Sequence, residues 1–257
     1  MKSEFKKIHG IRTHIVKHGT GKTKIICLHG WGGSTESWAE LAPKLAKKND
    51  ATVIAVDLPG FGESDMPPIS GWSTFQYADW FEELLTKLKL KNPTLVGHSF
   101  GCRVITRFLN DHPEFNGKVV LHGAAGIKWP AGMKQKLAGK IKPLVMPFKK
   151  VIPAKIWDKV TGKVFGARDW ANCPEAMKNT LKKTLEEACT REDLKHIKNN
   201  VLLLWGKNDG FTPLKSGKVF LENLQNSVMK VYEDGRHGIH RTHATKCANQ
   251  ISKFLKK

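Results

Sequence analysis

The chain has 257 residues, 40% of them hydrophobic, and 43 basic residues against 23 acidic ones give it a formal charge of +20. That length suits one α/β domain with a modest insertion, and the apolar share can build a sizeable core. No apolar run approaches the ~20 residues needed to cross a bilayer as a helix, which argues against a transmembrane segment.

The first ten residues, MKSEFKKIHG, are basic but carry no apolar stretch, so they do not read as a secretory signal. Cys27, Cys102, Cys173, Cys189 and Cys247 are widely spaced, odd in number and without a CxxC pair. Neither a disulfide framework nor a zinc ribbon is expected from them, and a reducing cytoplasmic setting fits. The excess charge is compatible with nucleic acid, an anionic surface or plain solubility. Its lysines are spread over every segment and no basic motif is interleaved with aromatics, so solubility is the expectation. No specific nucleic-acid partner is predicted, and at most a weak attraction to anionic surfaces.

In chain order, the segments 5–9 and 11–18, parted by Gly10, predict a hairpin. Lys24 to Leu28 (KIICL) reads as a strand that ends in His29-Gly30-Trp31-Gly32-Gly33-Ser34, and a helix is expected next with Trp38, Leu41 and Leu45 on one face. Ala51 to Val56 (ATVIAV) is another buried strand, followed by the loop DLPGFGES at 57–64. Ser73 and Gln76 have the spacing of a capping box at the head of a helix carrying Phe75, Leu84, Leu85 and Leu88.

Thr94, Leu95 and Val96 then form a short uncharged strand, and Val104, Ile105, Phe108 and Leu109 recur at the spacing of one helical face. Between them Gly97-His98-Ser99-Phe100-Gly101 leaves almost no residues for the turn. So tight a bend forces its central residue into a strained conformation and demands small residues two positions to either side, which Gly97 and Gly101 supply. It presents the Ser99 hydroxyl at the carboxyl edge of a sheet, at the first turn of a helix whose dipole favours developing negative charge.

Residues 118–121 make the next strand, and strands alternating with helices imply a mostly parallel, doubly wound sheet covered on both faces. The rhythm breaks over 126–199, which contains three tryptophans, several prolines and 17 basic against 7 acidic residues, but no convincing strand. It reads as a helical insertion lying over the sheet edge as a lid, so the expected organisation is a core of 1–125 and 200–257 with a cap of 126–199. Trp129, Phe148, Trp157, Phe165 and Trp170 within it either wall an acyl pocket or fix the cap to the core. The sheet resumes at Val201 to Trp205, its last strand is Val228 to Tyr232, and a terminal helix is expected from about Arg241 with Ala244, Cys247, Ala248, Ile251 and Leu255 inward.

Five motifs in this order, HGWGGS at 29–34, DLPGFGES at 57–64, GHSFG at 97–101, WGKNDGFTP at 205–213 and GRHGIH at 235–240, resemble the α/β-hydrolases with a serine nucleophile. Within that superfamily they are most similar to the cap-bearing group of carboxylesterases and C–C bond hydrolases. A serine hydroxyl at its free pKa is a poor nucleophile and needs a base within hydrogen-bond reach and a third group to hold the base. The chain order of this fold is Ser…Asp…His. His237, in the loop leaving the last strand and at the family's histidine position, is the expected base. His240 and His243 are rivals that read better as surface or helix-capping histidines. Asp209 is the expected acid, because the alternative position after the strand at 119–121 reads His122-Gly123-Ala124-Ala125 and offers no carboxylate.

The Phe100 N–H, next after the nucleophile, and by resemblance the Trp31 N–H would stabilise the oxyanion, each such donor typically contributing about 10²–10³ in rate. Gly30, Gly32 and Gly33 let the first loop bend toward the site. It is not a P-loop, since no Lys-Ser/Thr follows. Asp57 is read as holding its loop, His29 and His98 as structural hydrogen-bonders, and Cys102 as helix packing.

The resemblance implies a serine esterase that acts on small-molecule esters through an acyl-enzyme, with no metal and no organic cofactor. A C–C bond hydrolase of the meta-cleavage type, a slow-turnover ligand-binding receptor on the same fold and a nucleic-acid-binding protein are the competing readings.

Overall fold

The computed structural model describes residues 1–127, 173–187 and 189–256. Eight strands form one sheet in the order β1-β2-β4-β3-β5-β6-β7-β8. They are β1 (Lys2–Ile8), β2 (Ile11–His18), β3 (Thr23–Leu28), β4 (Ala51–Val56), β5 (Thr94–His98), β6 (Val119–His122), β7 (Val201–Gly206) and β8 (Ser227–Tyr232). The first hairpin is antiparallel and joins β4 antiparallel, whereas β4-β3-β5-β6-β7-β8 pair in parallel. The turn between β1 and β2 is made by His9 and Gly10, both at positive φ (46° and 80°). Two such residues match the right-handed twist of the strands they connect.

Among the described residues the helices are α1 (Ala42–Asn49), α2 (Thr74–Lys87), α3 (Phe100–Asp111), α4 (Glu175–Glu186), α5 (Arg191–His196), α6 (Leu214–Asn223), α7 (Ile239–Thr242) and α8 (Ala244–Leu255). Alternation along the central strands divides the apolar residues between two cores, one on each face of the sheet. In β3, Ile26 and Leu28 face the core filled by α2, α3, α5 and α6, while Ile25 and Cys27 face the one filled by α1 and α8. Likewise in β7, Val201, Leu203 and Trp205 enter the first core and Leu202 and Leu204 the second. A two-residue side-chain period on a sheet covered on both sides produces this division. The expected doubly wound α/β architecture is therefore present.

Two predicted helices are built differently. Trp38, Leu41 and Leu45 are all buried as expected, but Trp38 ends a 3₁₀ turn at Thr35–Trp38, Leu41 stands just before α1 and Leu45 lies on α1, so they do not share one helix. Ser34 caps the turn, and Pro43 stands in the first turn of α1, where its missing N–H costs nothing. The terminal helix is broken at His243 into the single turn α7 and the longer α8. Ala244, Cys247, Ala248 and Ile251 are buried as read from the sequence, and Leu255 packs half-buried beside them. The capping box at α2 is made in both directions: Gln76 N–H donates to Ser73 Oγ (3.2 Å) and Ser73 N–H to Gln76 Oε1 (2.9 Å). Phe75 points outward at that helix's first turn, with the Arg107 guanidinium over its ring.

Most of the segment read as a cap, including Trp129, Phe148, Trp157, Phe165 and Trp170, lies outside the described residues. Of its remainder, α4 lies against the loop leading into α2. Trp72 N–H donates to Thr180 Oγ1 (2.9 Å), Thr74 N–H to Glu187 Oε2 (2.6 Å), and Lys183 Nζ to the Gly71 carbonyl (3.0 Å). Cys189 pairs with Ile127 through a single parallel bridge. Among the described residues, no helix is long and apolar enough to cross a membrane.

Candidate active site

Ser99 stands between β5 and α3 at φ 49° and ψ −107°, a conformation a residue with a Cβ adopts only under constraint. The constraint comes from both sides. Ser99 N–H donates to the His122 carbonyl (3.0 Å), and its own carbonyl accepts from Cys102 N–H (3.1 Å) and Ala125 N–H (3.2 Å). The flanking glycines are needed for close approach. A Cβ on Gly101 would lie 2.2 Å from the Leu28 carbonyl oxygen, and one on Gly97 2.9 Å from Cys102 N. The bend thus packs α3 directly on β3 and β5, and Cys102 is fully buried beneath it as expected.

The HGWGGS loop closes over the bend. Gly33 N–H donates to the Gly30 carbonyl (2.9 Å), and a Cβ on Gly30 would lie 2.7 Å from His98 Nδ1 and 3.1 Å from Ser99 Cβ. Gly32 takes φ 70°. The Trp31 ring meets the Phe100 ring edge-on at 5.3 Å and that of Phe61 at 5.0 Å, so Trp31 and Phe100, the expected pair of oxyanion donors, belong to one contiguous group. His29 holds the loop from below: its Nδ1–H donates to the Gly30 carbonyl (2.8 Å), and its Nε2 accepts from Leu58 N–H (3.0 Å). Burial lowers its pKa to about 4. Asp57 ties this loop to its own. It accepts from Thr35 N–H at Oδ1, and from Glu63 N–H (2.9 Å) and His14 Nδ1 (2.8 Å) at Oδ2. Both residues therefore have the structural roles read from the sequence.

Asp209 follows β7 and His237 follows β8, and their side chains meet, with His237 Nδ1 2.7 Å from Asp209 Oδ2. Asp209 is buried, and its other oxygen accepts two backbone N–H groups, from Phe211 and Thr212, each at 2.9 Å. Burial by itself would raise its pKa. The bonds from His237 and Thr212 together outweigh burial and hold the carboxyl below its ordinary value. A carboxylate so placed fixes the imidazole with its proton on Nδ1 and leaves Nε2 as a base.

Two further residues complete this pair without having been singled out in the sequence. Thr212 Oγ1 lies within hydrogen-bond range of two acceptors for its single proton, Asp209 Oδ2 (2.9 Å) and the Gly123 carbonyl (3.0 Å), and 3.3 Å from His237 Nδ1. Its place three residues after Asp209, where a hydroxyl can reach back to a carboxylate, was the available signal. Gly123 follows β6, and a Cβ there would lie 3.2 Å from both Asp209 Oδ2 and His237 Nδ1.

The nucleophile turn and the His-Asp pair are joined through His98. Its Nε2 lies 3.0 Å from the His237 carbonyl oxygen, and its ring is 4.6 Å from that of His237. The hydrogen-bonding role read for His98 is thus met, and through it Ser99's immediate neighbour anchors the loop that carries His237. His243 is the residue before α8; its side chain makes no capping hydrogen bond there, and its Nε2 lies 3.2 Å from Asp234 Oδ2 instead. His240 is different from the surface or capping residue expected. It is only 2% exposed, because α7 turns its ring inward against His98, His122 and Trp38. Burial first and Arg241 second lower its pKa to about 3. Burial first, then repulsion from the neighbouring rings, likewise holds His98 and His122 well below the ordinary imidazole range.

Comparison with known proteins agrees with this architecture. The model described as "alpha/beta hydrolase fold" matches residues 24–140, and that described as "TAP-like protein" matches 165–257. The chain is 27% identical to a 2-hydroxy-6-oxononadienedioate/2-hydroxy-6-oxononatrienedioate hydrolase of Burkholderia vietnamiensis, over 96% of this chain and 92% of the relative. Among solved structures, an esterase from Exiguobacterium antarcticum superposes with a TM-score of 0.77 at 24% identity, covering 100% of both chains. A meta-cleavage product hydrolase from Pseudomonas fluorescens superposes with a TM-score of 0.75 at 20% identity, covering 98% of this chain and 97% of the other. At those identities the superpositions speak to the fold alone. Taken with the matched family models and the strand-end positions of the five motifs, they establish that the chain belongs to the alpha/beta hydrolase superfamily.

Proposed function

We propose that the protein is a serine hydrolase that cleaves carboxylic esters through an acyl-enzyme, with Ser99, His237 and Asp209 as its triad. The observation that carries the reading is the strained Ser99 turn, joined through His98 to a loop whose His237 is hydrogen-bonded to a buried Asp209. In the first step the Ser99 oxygen attacks the ester carbonyl while His237 Nε2 takes its proton. The tetrahedral oxyanion accepts hydrogen bonds from the Phe100 and Trp31 N–H groups. As it collapses, the carbon–oxygen bond to the alcohol breaks, and His237 returns the proton to the leaving oxygen. Water deprotonated by the same imidazole then attacks the acyl-enzyme and frees the acid and Ser99. Asp209 holds the tautomer and stabilises the imidazolium at each step without itself taking the proton.

Residues 126–199 act in this reading as a cap over the site, with 1–125 and 200–257 as the core. Support for the core comes from the continuous sheet. Support for the cap comes from α4, whose hydrogen bonds to the loop at 69–74 hold it beside the entrance to α2.

The relative from Burkholderia vietnamiensis favours a second reading, in which the same residues cleave a carbon–carbon bond beside a ketone. A fluorophosphonate probe followed by peptide mapping tests nucleophile and reaction class together, and the expected product is a single adduct on Ser99. Ser99→Ala should lower ester turnover by at least about 10³-fold. Near-normal turnover in that variant would refute the mechanism. Comparing a chromogenic ester with a vinylogous 1,5-diketone separates the two readings: faster turnover of the ester supports the first and faster turnover of the diketone the second.

A further inference from the structure

Beneath the proposed catalytic residues, three histidines from three different elements come together. His98 ends β5, His122 ends the neighbouring parallel strand β6, and the two are register partners, so their side chains leave the sheet on the same face. His240 approaches from α7, three residues beyond His237. The ring centroids are 5.0 Å apart for His98 and His122, 4.3 Å for His98 and His240, and 4.9 Å for His122 and His240. One ring nitrogen from each lies within 4.8 Å of the other two. His122 and His240 are each 2% exposed, and all four of their ring nitrogens lack a hydrogen-bond partner among the described residues.

A neutral imidazole carries one N–H donor and one acceptor lone pair, and buried polar atoms of this kind are ordinarily satisfied. Two adjacent imidazoles with nothing satisfied, facing a third, are poor core packing and good ligand chemistry. We propose that His98, His122 and His240 form a binding site for a transition-metal ion of the zinc class. The geometry is close to what such an ion needs. With metal–nitrogen bonds of about 2.0–2.1 Å in tetrahedral arrangement, nitrogens sit about 3.3 Å apart and ring centroids about 5.2 Å apart. The centroids are already within 1 Å of that spacing. Three uncharged nitrogen donors without a carboxylate select borderline ions such as zinc, cobalt, nickel or copper over calcium or magnesium, which require oxygen. The bound ion would join the ends of β5 and β6 to α7, and so fasten the Ser99 turn to the segment following His237.

The test uses the full chain stripped with a chelator and titrated with cobalt and then zinc chloride at neutral pH. The expected results are the visible d–d absorption of four-coordinate cobalt and one zinc retained per chain on equilibrium dialysis. Zinc at a hundredfold its Kd should raise Tm by roughly 5–10 °C, since an ion that binds only the folded chain stabilises it. His240→Phe, which keeps a ring and removes the ligand, should raise Kd at least a hundredfold, whereas His237→Gln and His243→Gln should retain the zinc. No d–d bands and no retained zinc would overturn the site and leave it a water-filled or dry pocket. Zinc lost in His237→Gln or His243→Gln but kept in His240→Phe would equally overturn it, by placing the ion on the proposed catalytic pair or the surface. Should His240→Phe fail to fold, X-ray absorption of the cobalt-loaded wild type decides the matter: three imidazole ligands uphold the site and fewer reject it.

Discussion

Acidification should loosen the loop that carries Gly30 and Trp31, and His29 is the group through which it acts. Its ring is fully buried, and both nitrogens are used in the one way a neutral imidazole allows, Nδ1–H donating to the Gly30 carbonyl and Nε2 accepting from Leu58 N–H. A second proton must go on Nε2, where it would face the Leu58 N–H and replace an attraction with a repulsion. Burial accordingly lowers the pKa from 6.5 to about 4. The unfolded chain therefore takes up the proton first as pH falls. The stability His29 contributes is fully present above its unfolded pKa and is lost as pH drops toward the folded one. Integrated between pH 7 and pH 5, a shift of this size removes about 2 kcal/mol. Urea unfolding at the two pH values measures it, and His29→Gln, which cannot titrate, isolates it. The wild type should lose about 2 kcal/mol more than the variant over that interval. Equal losses in the two proteins would refute the argument.

Gly101→Ala places a methyl group 2.2 Å from the Leu28 carbonyl, so α3 must move off β3; a loss of roughly 1–3 kcal/mol or more is expected, read as a fall in Tm. Asp57→Ala strips His14, Thr35 and Glu63 of their shared acceptor, and leaving a buried donor unsatisfied costs about 1–3 kcal/mol, so a loss of at least that size is expected in denaturant unfolding at pH 7. Thr212→Val keeps the shape and removes the hydroxyl from Asp209 Oδ2; kcat on a chromogenic ester should fall roughly tenfold with Tm little changed, and an unchanged kcat would show that this hydroxyl has no part in holding the pair.

Much of the fold was legible because its signals are local. The Gly10 hairpin, the apolar strands at KIICL, ATVIAV and TLV, and the reciprocal Ser73–Gln76 cap each depend on neighbours a few residues away, and each is present. The apolar spacing of Trp38, Leu41 and Leu45 correctly gave the buried face but not the break between the 3₁₀ turn and α1, because burial is set by side-chain spacing and continuity by backbone donors that Pro43 lacks. The burial of His240 is illegible for a related reason: it is a polar residue followed by Arg241 and Thr242, and nothing local shows that α7 turns it into the core beside Ile239.

The sequence by itself determined the doubly wound sheet, the bend at Ser99, and the placing of Asp209 and His237 at strand ends, since strand alternation, glycine spacing and strand termini are written within short windows. Only the tertiary structure decided that Asp209 and His237 lie 2.7 Å apart, that Thr212 and Gly123 shape their surroundings, and that His98, His122 and His240 share one buried space. Apart from the bond between Thr212 and Asp209, three residues apart, those contacts join residues at least 24 positions apart, and sheet pairing with helix packing, not local preference, sets such distances.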